Sequence, residues 1–283
     1  MNKTQTSWTA QGTAAMRAIE SEKPTHTQIC HDPFARQFVE TWFYHLIKLL
    51  AGYGERRTHG ALTFIVCRCR YFDDYLQQCL QAGTTQVVIL GAGLDSRAYR
   101  DGLLSGGVKT FEVDHPATQA RKRKRLKQAL TTFPAYVTYV PVDFNNETLD
   151  KLLACDYDPS LKTLFIWEGV TQYLRPEAVD GTLSWVQAHS APGSSIIFDY
   201  QNMAELPQTQ IRRGQLYALL SRFTGERRDF GIVHSQIEDF LMQRGFTRVV
   251  DVNADQLRHL YCIGSNRGRT VATNYAIVHA EVA

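Results

Sequence analysis

The feature that most constrains the fold is an alternation of short β-rich runs with helical segments from residue 86 onward. Five such runs follow one another: QVVIL (86–90), VKTFEV (108–113), VTYVPV (137–142), TLFIW (163–167) and SSIIF (194–198). Stretches such as ATQARKRKRLKQALTTF and RPEAVDGTLSWVQAHS separate them and are typical of helices. Strand–helix–strand order requires crossover connections, which favours a mainly parallel sheet. The sequence therefore predicts a doubly wound α/β fold.

The two ends of the chain add helices and two more strands to this prediction. Residues 1–82 place apolar residues at intervals of three and four, which predicts helices over TAAMRAIESE, DPFARQFVETWFYHLIKLLAG and THGALTFIVCRCRYFDDYLQQCLQAG. After the fifth strand we expect a polar, Arg-rich helical insertion. The helix SQIEDFLMQRG and the strands TRVVDV and NYAIVHAEV follow it. Two strands after a late helix indicate a hairpin at the sheet edge, which makes seven strands.

We expect one domain, because 283 residues with 44% hydrophobic content can bury a full core and no Pro- or Gly-rich linker divides the chain. Residues 1–82 would form a helical cover, and residues 83–202 and 232–283 a Rossmann-like core. Residues 203–231 would form an insertion or lid.

Composition excludes several classes of protein. A formal charge of +3 is too small to indicate a nucleic-acid partner. We interpret the basic run RKRKRLK (121–127) as a solvated helix, with docking of an acidic carrier protein as the alternative. The six cysteines lack zinc or redox spacing, so we expect reduced, mostly buried thiols and no metal site. With neither a signal-peptide core nor an apolar run of bilayer length, we expect a soluble cytoplasmic protein that does not bind membranes.

The clearest sign of a ligand is VVILGAGLDSR, where an apolar strand runs directly into Gly91, Ala92 and Gly93. Glycine lets a ligand approach the backbone closely, and ligands of open parallel sheets lie outside the carboxyl ends of the strands. A tight turn without a ligand is the alternative reading of these glycines alone.

Acidic residues follow the next three strands. Asp114 ends VKTFEVD, 23 residues beyond Gly91, where a carboxylate can accept hydrogen bonds from both ribose hydroxyls of a nucleotide; helix capping is the alternative. In VPVDFNN, Asp143 can accept from an adenine amino group with Phe144 beside the ring, unless Asp143 only initiates a turn. Glu168 follows TLFIW at the same predicted sheet edge. Four strand ends would thus converge on one crevice.

The rest of the glycine turn separates two cofactor classes. A dinucleotide fingerprint requires Gly or Ala where this chain has Ser96, and the carboxylate of Asp95 would repel a pyrophosphate. A sulfonium cofactor with an amino-acid tail tolerates that carboxylate better, so we predict S-adenosyl-L-methionine as the cofactor. An NAD-dependent dehydrogenase and a non-catalytic nucleotide-binding module remain alternatives.

Several motifs, taken in order, resemble the leucine carboxyl methyltransferase family, which includes bacterial O-methyltransferases of polyketide pathways. They are MRAIESEKP, HDPFAR, CRCRYFDD, VVILGAGLDSRAYR, FEVDHP, VPVDF and WEGVTQYL. The resemblance implies that Arg68, preferred to Arg70 on motif position, pairs with the methionine carboxylate and that Glu168 reaches its amino group. The full set of cofactor-binding residues that it implies is Arg68, Gly91, Gly93, Asp114, Asp143, Phe144 and Glu168.

We therefore expect an O-methyltransferase that acts on a carboxylate or hydroxyl of a small molecule, with a natural-product intermediate as the acceptor. Methylation of a protein C-terminus is the alternative. Methyl transfer from a sulfonium is an in-line displacement, so alignment matters most and no catalytic residue is assigned. Tyr173 and Tyr44 are the candidate substrate contacts, the latter from an aromatic cluster. The candidate general bases are Tyr173 and the histidines His26, His31, His45 and His59.

Overall fold

The computed structural model describes residues 8–57, 60–104, 107–203 and 229–283, and its seven strands form one sheet. The strands are β1 (Gln86–Leu90), β2 (Lys109–Asp114), β3 (Val137–Pro141), β4 (Thr163–Trp167), β5 (Ser195–Gln201), β6 (Phe246–Val252) and β7 (Tyr275–Val282). Their order is β3-β2-β1-β4-β5-β7-β6. Strands β1 to β5 pair in parallel, and β7 runs antiparallel to both β5 and β6. The predicted doubly wound, mostly parallel seven-stranded sheet is confirmed.

The α-helices of the described residues flank this sheet, and three of them precede its first strand in the chain. They are α1 (Trp8–Ser21), α2 (Thr41–Arg57), α3 (Ala61–Gln81), α4 (Pro116–Leu126), α5 (Pro176–Ala188), α6 (Ile237–Met242) and α7 (Ala254–Tyr261). The predicted N-terminal helical extension is therefore present, as three separate helices.

The expectation of one continuous helix from Asp32 onward is wrong. The Asp32 carboxylate accepts the backbone N–H groups of Phe34 and Ala35, both at 3.0 Å, and these bonds initiate a short 3-10 turn instead. The chain leaves this turn in an extended conformation at Val39, and α2 begins only at Thr41.

Sequence reasoning missed helix α7, which lies between β6 and β7 where we expected a hairpin. Asn253 caps this helix in a reciprocal capping box with Gln256. The Asn-x-x-Gln spacing is a recognised helix-start signal, so the helix could have been found. The two strands still pair antiparallel, with β7 placed inside β6.

Apolar side chains cover both faces of the sheet. Strand β1 shows this most simply, because Val88 and Leu90 pack into one hydrophobic cluster and Val87 and Ile89 into another on the opposite face. Helix α5 contributes to the first cluster and α3 to the second. A strand buried on both faces exposes only its ends, which places any binding site at the strand termini.

Most of the predicted insertion at 203–231 lies outside the described residues, which resume at 229. The flanking segments lie together, since Asn202 and Ile232 form an isolated β-bridge. Five of the six cysteines are buried and all six are unbridged, as expected. Within the described ranges, no helix is long and apolar enough to cross a membrane.

Candidate cofactor-binding site

A cavity of about 540 Å³ opens at the carboxyl ends of strands β1 to β4. All seven residues that the sequence predicts for cofactor binding line it, and so does Tyr173. Helix α1 closes one side with Thr9, Ala10, Thr13 and Arg17. The volume is in the range of cavities that hold one cofactor-sized ligand. The predicted convergence of four strand ends on one crevice is confirmed.

The turn after β1 depends on glycine. Gly91 has a φ of +65°, and a Cβ atom built there would lie 2.4 Å from Cγ2 of Val170. The next two residues are tied to β2: the Ala92 N–H donates to the carbonyl of Val113 at 3.0 Å, and the Gly93 N–H donates to the Asp114 carboxylate. The turn is therefore held against the neighbouring strand end.

Asp114 does not cap helix α4. His115 does so instead, because its Nδ1 accepts the N–H of Ala117 at 3.2 Å. The Asp114 carboxylate accepts the N–H groups of Gly93 and His115 and lines the cavity. Burial raises the pKa of Asp114, and the two N–H groups oppose that rise. A buried carboxylate that faces a cavity is suited to accept ligand hydroxyls.

A buried ionic cluster beside the glycine turn includes Arg68, Arg97 and the carboxylates that they bond. The Arg68 Nε donates to Glu168 at 3.0 Å and its Nη1 donates to Asp199 at 2.6 Å. The Arg97 Nη1 bonds both Glu168 at 2.6 Å and Asp95 at 2.5 Å. Burial alone would raise the pKa of Glu168, but the two guanidinium groups lower it below its ordinary value. Opposite charges thus face the cavity side by side.

Arg68 and Arg70 separate as motif position predicts. Arg68 lines the cavity, whereas Arg70 lies on the partly exposed outer side of α3 and pairs with Asp74 at 2.8 Å. The predicted partner of Arg68, a ligand carboxylate, would join two protein carboxylates that already bond this guanidinium.

Sequence reasoning missed several charged residues of this region, and three of them show why. Arg97 and Asp199 belong to the ionic cluster, and Arg17 of α1 donates to Asp32 at 2.9 Å and to the Leu94 carbonyl at 2.7 Å. Their partners lie up to 131 positions away in sequence, so no local spacing could reveal them. Arg97 is the exception, because Asp95, two positions earlier, is a partner that the local sequence does show.

At the β3 end, Asp143 and Phe144 occupy the cavity wall. The Asp143 carboxylate accepts from the N–H of Asn145 at 3.2 Å and from the side-chain amide of Asn146 at 2.8 Å, so it does initiate a turn. Phe144 lies nearly parallel to Trp167, with 6.4 Å between ring centroids. An aromatic ring and a carboxylate are therefore adjacent at this end of the cavity.

The expectation that Tyr44 contacts substrate is wrong for this structure. Its side chain is 2% exposed in the N-terminal hydrophobic cluster, outside the cavity lining, and its hydroxyl donates to Glu22. The helical spacing of the apolar residues of α2 places the Tyr44 ring on the side that packs against α1. Tyr173 does line the cavity.

None of the three candidate histidine bases that the structure describes lines the cavity. His26, His31 and His45 are exposed elsewhere, and the side chain of His59 lies outside the described residues. His115 does line it, although sequence reasoning did not propose it as a base. Of the candidate bases that the structure describes, Tyr173 alone lines the cavity.

The interpretation of residues 121–127 as a solvated helix needs one correction. Lys122 points inward and is buried at the back of the glycine turn, whereas Arg123, Lys124 and Lys127 are exposed. The inward position follows from the helical period, because Gln119, Lys122 and Leu126 are the buried residues of α4.

Comparison with known proteins assigns the family. The sequence profile described as Leucine carboxyl methyltransferase matches residues 10–187, more than half of the chain. The chain belongs to the leucine carboxyl methyltransferase family. A Bacillus subtilis relative, named as a candidate S-adenosyl-L-methionine-dependent methyltransferase, is 32% identical over 204 residues, which cover 69% of this chain and 65% of the relative. A Mycolicibacterium smegmatis relative with the same description is 34% identical over 216 residues, covering 73% and 67%.

The fold has a solved counterpart. The crystal structure of a candidate methyltransferase from Thermobifida fusca matches with a TM-score of 0.59 at 14% identity, covering 100% of this chain and 97% of that chain. Similarity at this identity shows the fold, which is the Rossmann-like class I methyltransferase fold. The chain spans about two thirds of the length of the relatives described above.

Proposed function

We propose that this protein is an S-adenosyl-L-methionine-dependent methyltransferase that methylates an oxygen atom of a small acceptor. The observation that carries the proposal is the single cavity that collects all seven predicted cofactor residues around the glycine turn. Membership of a carboxyl methyltransferase family and the names of the relatives support the same reaction.

The residues present fit this cofactor. Asp114 would accept the ribose hydroxyls, and Asp143 with Phe144 would hold the adenine ring. Arg68 and Glu168, already opposite in charge and adjacent, would hold the carboxylate and ammonium of the amino-acid tail. The bound cofactor supplies an electrophilic methyl group on a sulfonium centre.

The protein's own contribution is alignment and exclusion of water. Helix α1 covers the cavity with Thr9 and Thr13, so an acceptor beside the cofactor would be shielded from bulk solvent. An acceptor carboxylate is already ionised at neutral pH and requires no base. A hydroxyl acceptor would need one nearby, and Tyr173 is positioned at the cavity wall for that contact.

A small acceptor fits this enclosure better than a protein C-terminus does. Helix α1 closes one side of the cavity with Thr9, Ala10, Thr13 and Arg17, and this narrowing favours a small acceptor over an extended peptide. We therefore keep a natural-product intermediate as the acceptor and methylation of a peptide end as the alternative. A cytoplasmic location and the lack of nucleic-acid or membrane partners remain predictions from the sequence.

The test is methyl transfer from S-adenosyl-L-methionine to three acceptor panels: small carboxylic acids, small phenols and alcohols, and peptides with a free C-terminal leucine. We expect formation of S-adenosylhomocysteine with members of a small-molecule panel, and base-labile esters would identify a carboxylate acceptor. Asp114→Asn should lower turnover with every acceptor at a cofactor concentration that does not saturate the variant. Turnover of peptides alone would establish the alternative, and binding of NADH in place of the methyl donor would overturn the proposal.

A further inference from the structure

One member of the basic run on α4 is turned into the protein. The side chains of Lys122 and Glu112 are 1% and 0% exposed, and the Lys122 Nζ donates to Glu112 Oε1 at 2.7 Å. The same Nζ donates to the carbonyl of Ala92 at 3.2 Å. This ammonium therefore connects α4 and β2 to the middle residue of the glycine turn.

The turn needs such a connection. Gly91 and Gly93, on either side of Ala92, both have positive φ values, +65° and +36°, and glycine has the widest backbone freedom of any residue. The Ala92 N–H donates to Val113 of β2, and its carbonyl accepts two bonds: the Asp95 N–H from within the turn at 2.8 Å and the Lys122 ammonium of α4 from outside it. Rotation of the Ala92–Gly93 peptide would move the Gly93 N–H away from Asp114, so the ammonium holds that bond in place.

Supporting contacts fix the ammonium itself. Gln119, one helical turn earlier, donates to the carbonyls of Glu112 and Val140, both at 2.9 Å, and this ties α4 to the ends of β2 and β3. The ring of Tyr99 lies 5.4 Å from the Lys122 Nζ. A buried ion pair adds little stability compared with apolar residues of the same size, so its distinctive effect is to orient the groups that it bonds.

We propose that Lys122 is a positioning residue of the cofactor site, which holds the Ala92 carbonyl and thereby the Gly93 N–H and Asp114 in the arrangement that binds cofactor. The proposal rests on the proposed function only for the identity of the ligand. It does not require Lys122 to touch cofactor or acceptor, since this residue lies behind the cavity wall.

The test variant removes the ammonium without leaving a buried charge. Lys122→Met alone would strand Glu112, so the double variant Lys122→Met/Glu112→Gln is used, which keeps both shapes and neutralises both charges. Lys124→Met, at an exposed position two residues along the same helix, is the matched control. Thermal unfolding confirms that each protein is folded before it is compared.

Two measurements follow. Amide hydrogen exchange of residues 91–96 in the protein without ligand reports on the turn directly, and calorimetric titration with S-adenosylhomocysteine reports on the site. We expect faster exchange at Gly93 and an affinity about tenfold weaker in the double variant, as for loss of a charge-assisted hydrogen bond. Lys124→Met should match the wild type in both.

Ligand affinity measured across a range of pH separates a positioning role of Lys122 from a general loss of structure in the variant. The largest effects of charged side chains on Asp114 come from Lys122 and His115, and both lower its pKa. Loss of the ammonium alone, in Lys122→Met, should therefore move the acid limb of ligand binding to higher pH, which a purely structural defect would not do. Lys122→Met/Glu112→Gln, which also loses a carboxylate, should move that limb less.

Wild-type exchange at Gly93 together with wild-type affinity in the double variant would overturn the proposal. If the wild type itself fails to bind S-adenosylhomocysteine, the proposed function fails instead. The exchange rates of the ligand-free protein still decide whether Lys122 holds the turn.

Discussion

At the scale of single residues, the site consists of charges that stay buried only because each has a partner. Asp199 shows the pattern: one carboxylate oxygen accepts from Arg68 at 2.6 Å and the other from the Gly169 N–H at 2.5 Å. Burial raises the pKa of Asp199, and these partners oppose the rise. Asp114 differs, because its partners are backbone N–H groups and its carboxylate also faces the cavity. This difference makes Asp114 the residue whose charge a ligand should sense most strongly.

We predict that cofactor affinity falls as pH falls through the raised pKa of Asp114, above the ordinary aspartate value of about 3.9. The ionised carboxylate accepts from two ribose hydroxyls more strongly than the protonated acid does, because protonation removes the charge and turns one oxygen into a donor. Because the folded pKa is raised, the folded state holds this proton more tightly than the unfolded chain does. The contribution of this group to the stability of the empty protein is therefore present below that window and is lost as pH rises through it.

The measurement is the dissociation constant of S-adenosylhomocysteine across acidic pH, for wild type and Asp114→Asn. The wild type should lose at least about tenfold in affinity on full protonation, as for loss of a hydrogen bond to a charge. Asp114→Asn should bind weakly without this acid limb. An affinity that stays constant until the wild type unfolds would contradict the prediction.

At this scale, the sequence predicted cavity residues that directly follow strands and missed the charges that support them. Gly91, Asp114 and Glu168 could be predicted from the sequence, because each directly follows a recognisable strand and the carboxyl ends of parallel strands lie at the same side of the sheet. Arg17 and Asp199 could not be predicted in this way. They lie inside a helix and a strand, where the local sequence does not indicate which distant charged residue each will bond. The prediction that Tyr44 contacts substrate was wrong for another reason. Its aromatic cluster is equally compatible with a hydrophobic core and with a binding pocket.

At the scale of elements, helix α1 is attached to the rest of the protein by buried ion pairs. Arg17 bonds Asp32 and the Leu94 carbonyl, and Glu20 accepts from Arg269 at 2.8 Å and from the Ile29 N–H at 2.9 Å. Leu94 belongs to the segment that follows the glycine turn, so α1 is attached directly to the cavity wall. The helix that covers the site is thus fixed by charge as well as by its alanine-lined core contacts.

We predict that Arg17→Ala destabilises the protein by about 3–5 kcal/mol, the cost of leaving a buried charge without its partner. Burial alone would raise the pKa of Asp32, but Arg17 and Arg100 lower it below its ordinary value. Stability from this carboxylate is therefore present above its unfolded pKa and lost as pH falls, so the effect of the substitution should shrink in acid.

Urea unfolding at neutral and acidic pH measures this prediction. Arg258→Ala is the control, because Arg258 forms an exposed pair with Asp255 on α7, and its loss should cost no more than about 1 kcal/mol. Equal losses for the two variants would show that α1 does not depend on its ion pair.

Strands were predicted more accurately than helix ends. Runs 86–90 and 163–167 coincide with β1 and β4, whose buried apolar residues are continuous and bounded by polar ones. The break between residues 38 and 41 was invisible, because it depends on the Asp32 side chain bonding backbone N–H groups in the folded chain. Helix α7 was visible through its capping box and was overlooked.

At the scale of the whole molecule, the order of the strands decides where function can lie. Because both faces of the five parallel strands are covered, a ligand can reach these strands only at their ends. At the carboxyl ends, β1 lies between β2 and β4. Alternation in the sequence was sufficient to predict the parallel sheet. The placement of β7 inside β6 was not predictable, because it depends on which antiparallel pairing buries more of the sheet's edge.

The central claim is that this sheet edge binds S-adenosyl-L-methionine through Asp114, and calorimetry with S-adenosylhomocysteine tests it most directly. The comparison uses the wild type, Asp114→Asn and Asp255→Asn, whose residue is exposed on α7. We predict saturable binding by the wild type and by Asp255→Asn, with at least about tenfold weaker binding by Asp114→Asn. A folded wild type that does not bind, or an Asp114→Asn variant that binds as the wild type does, would contradict the claim.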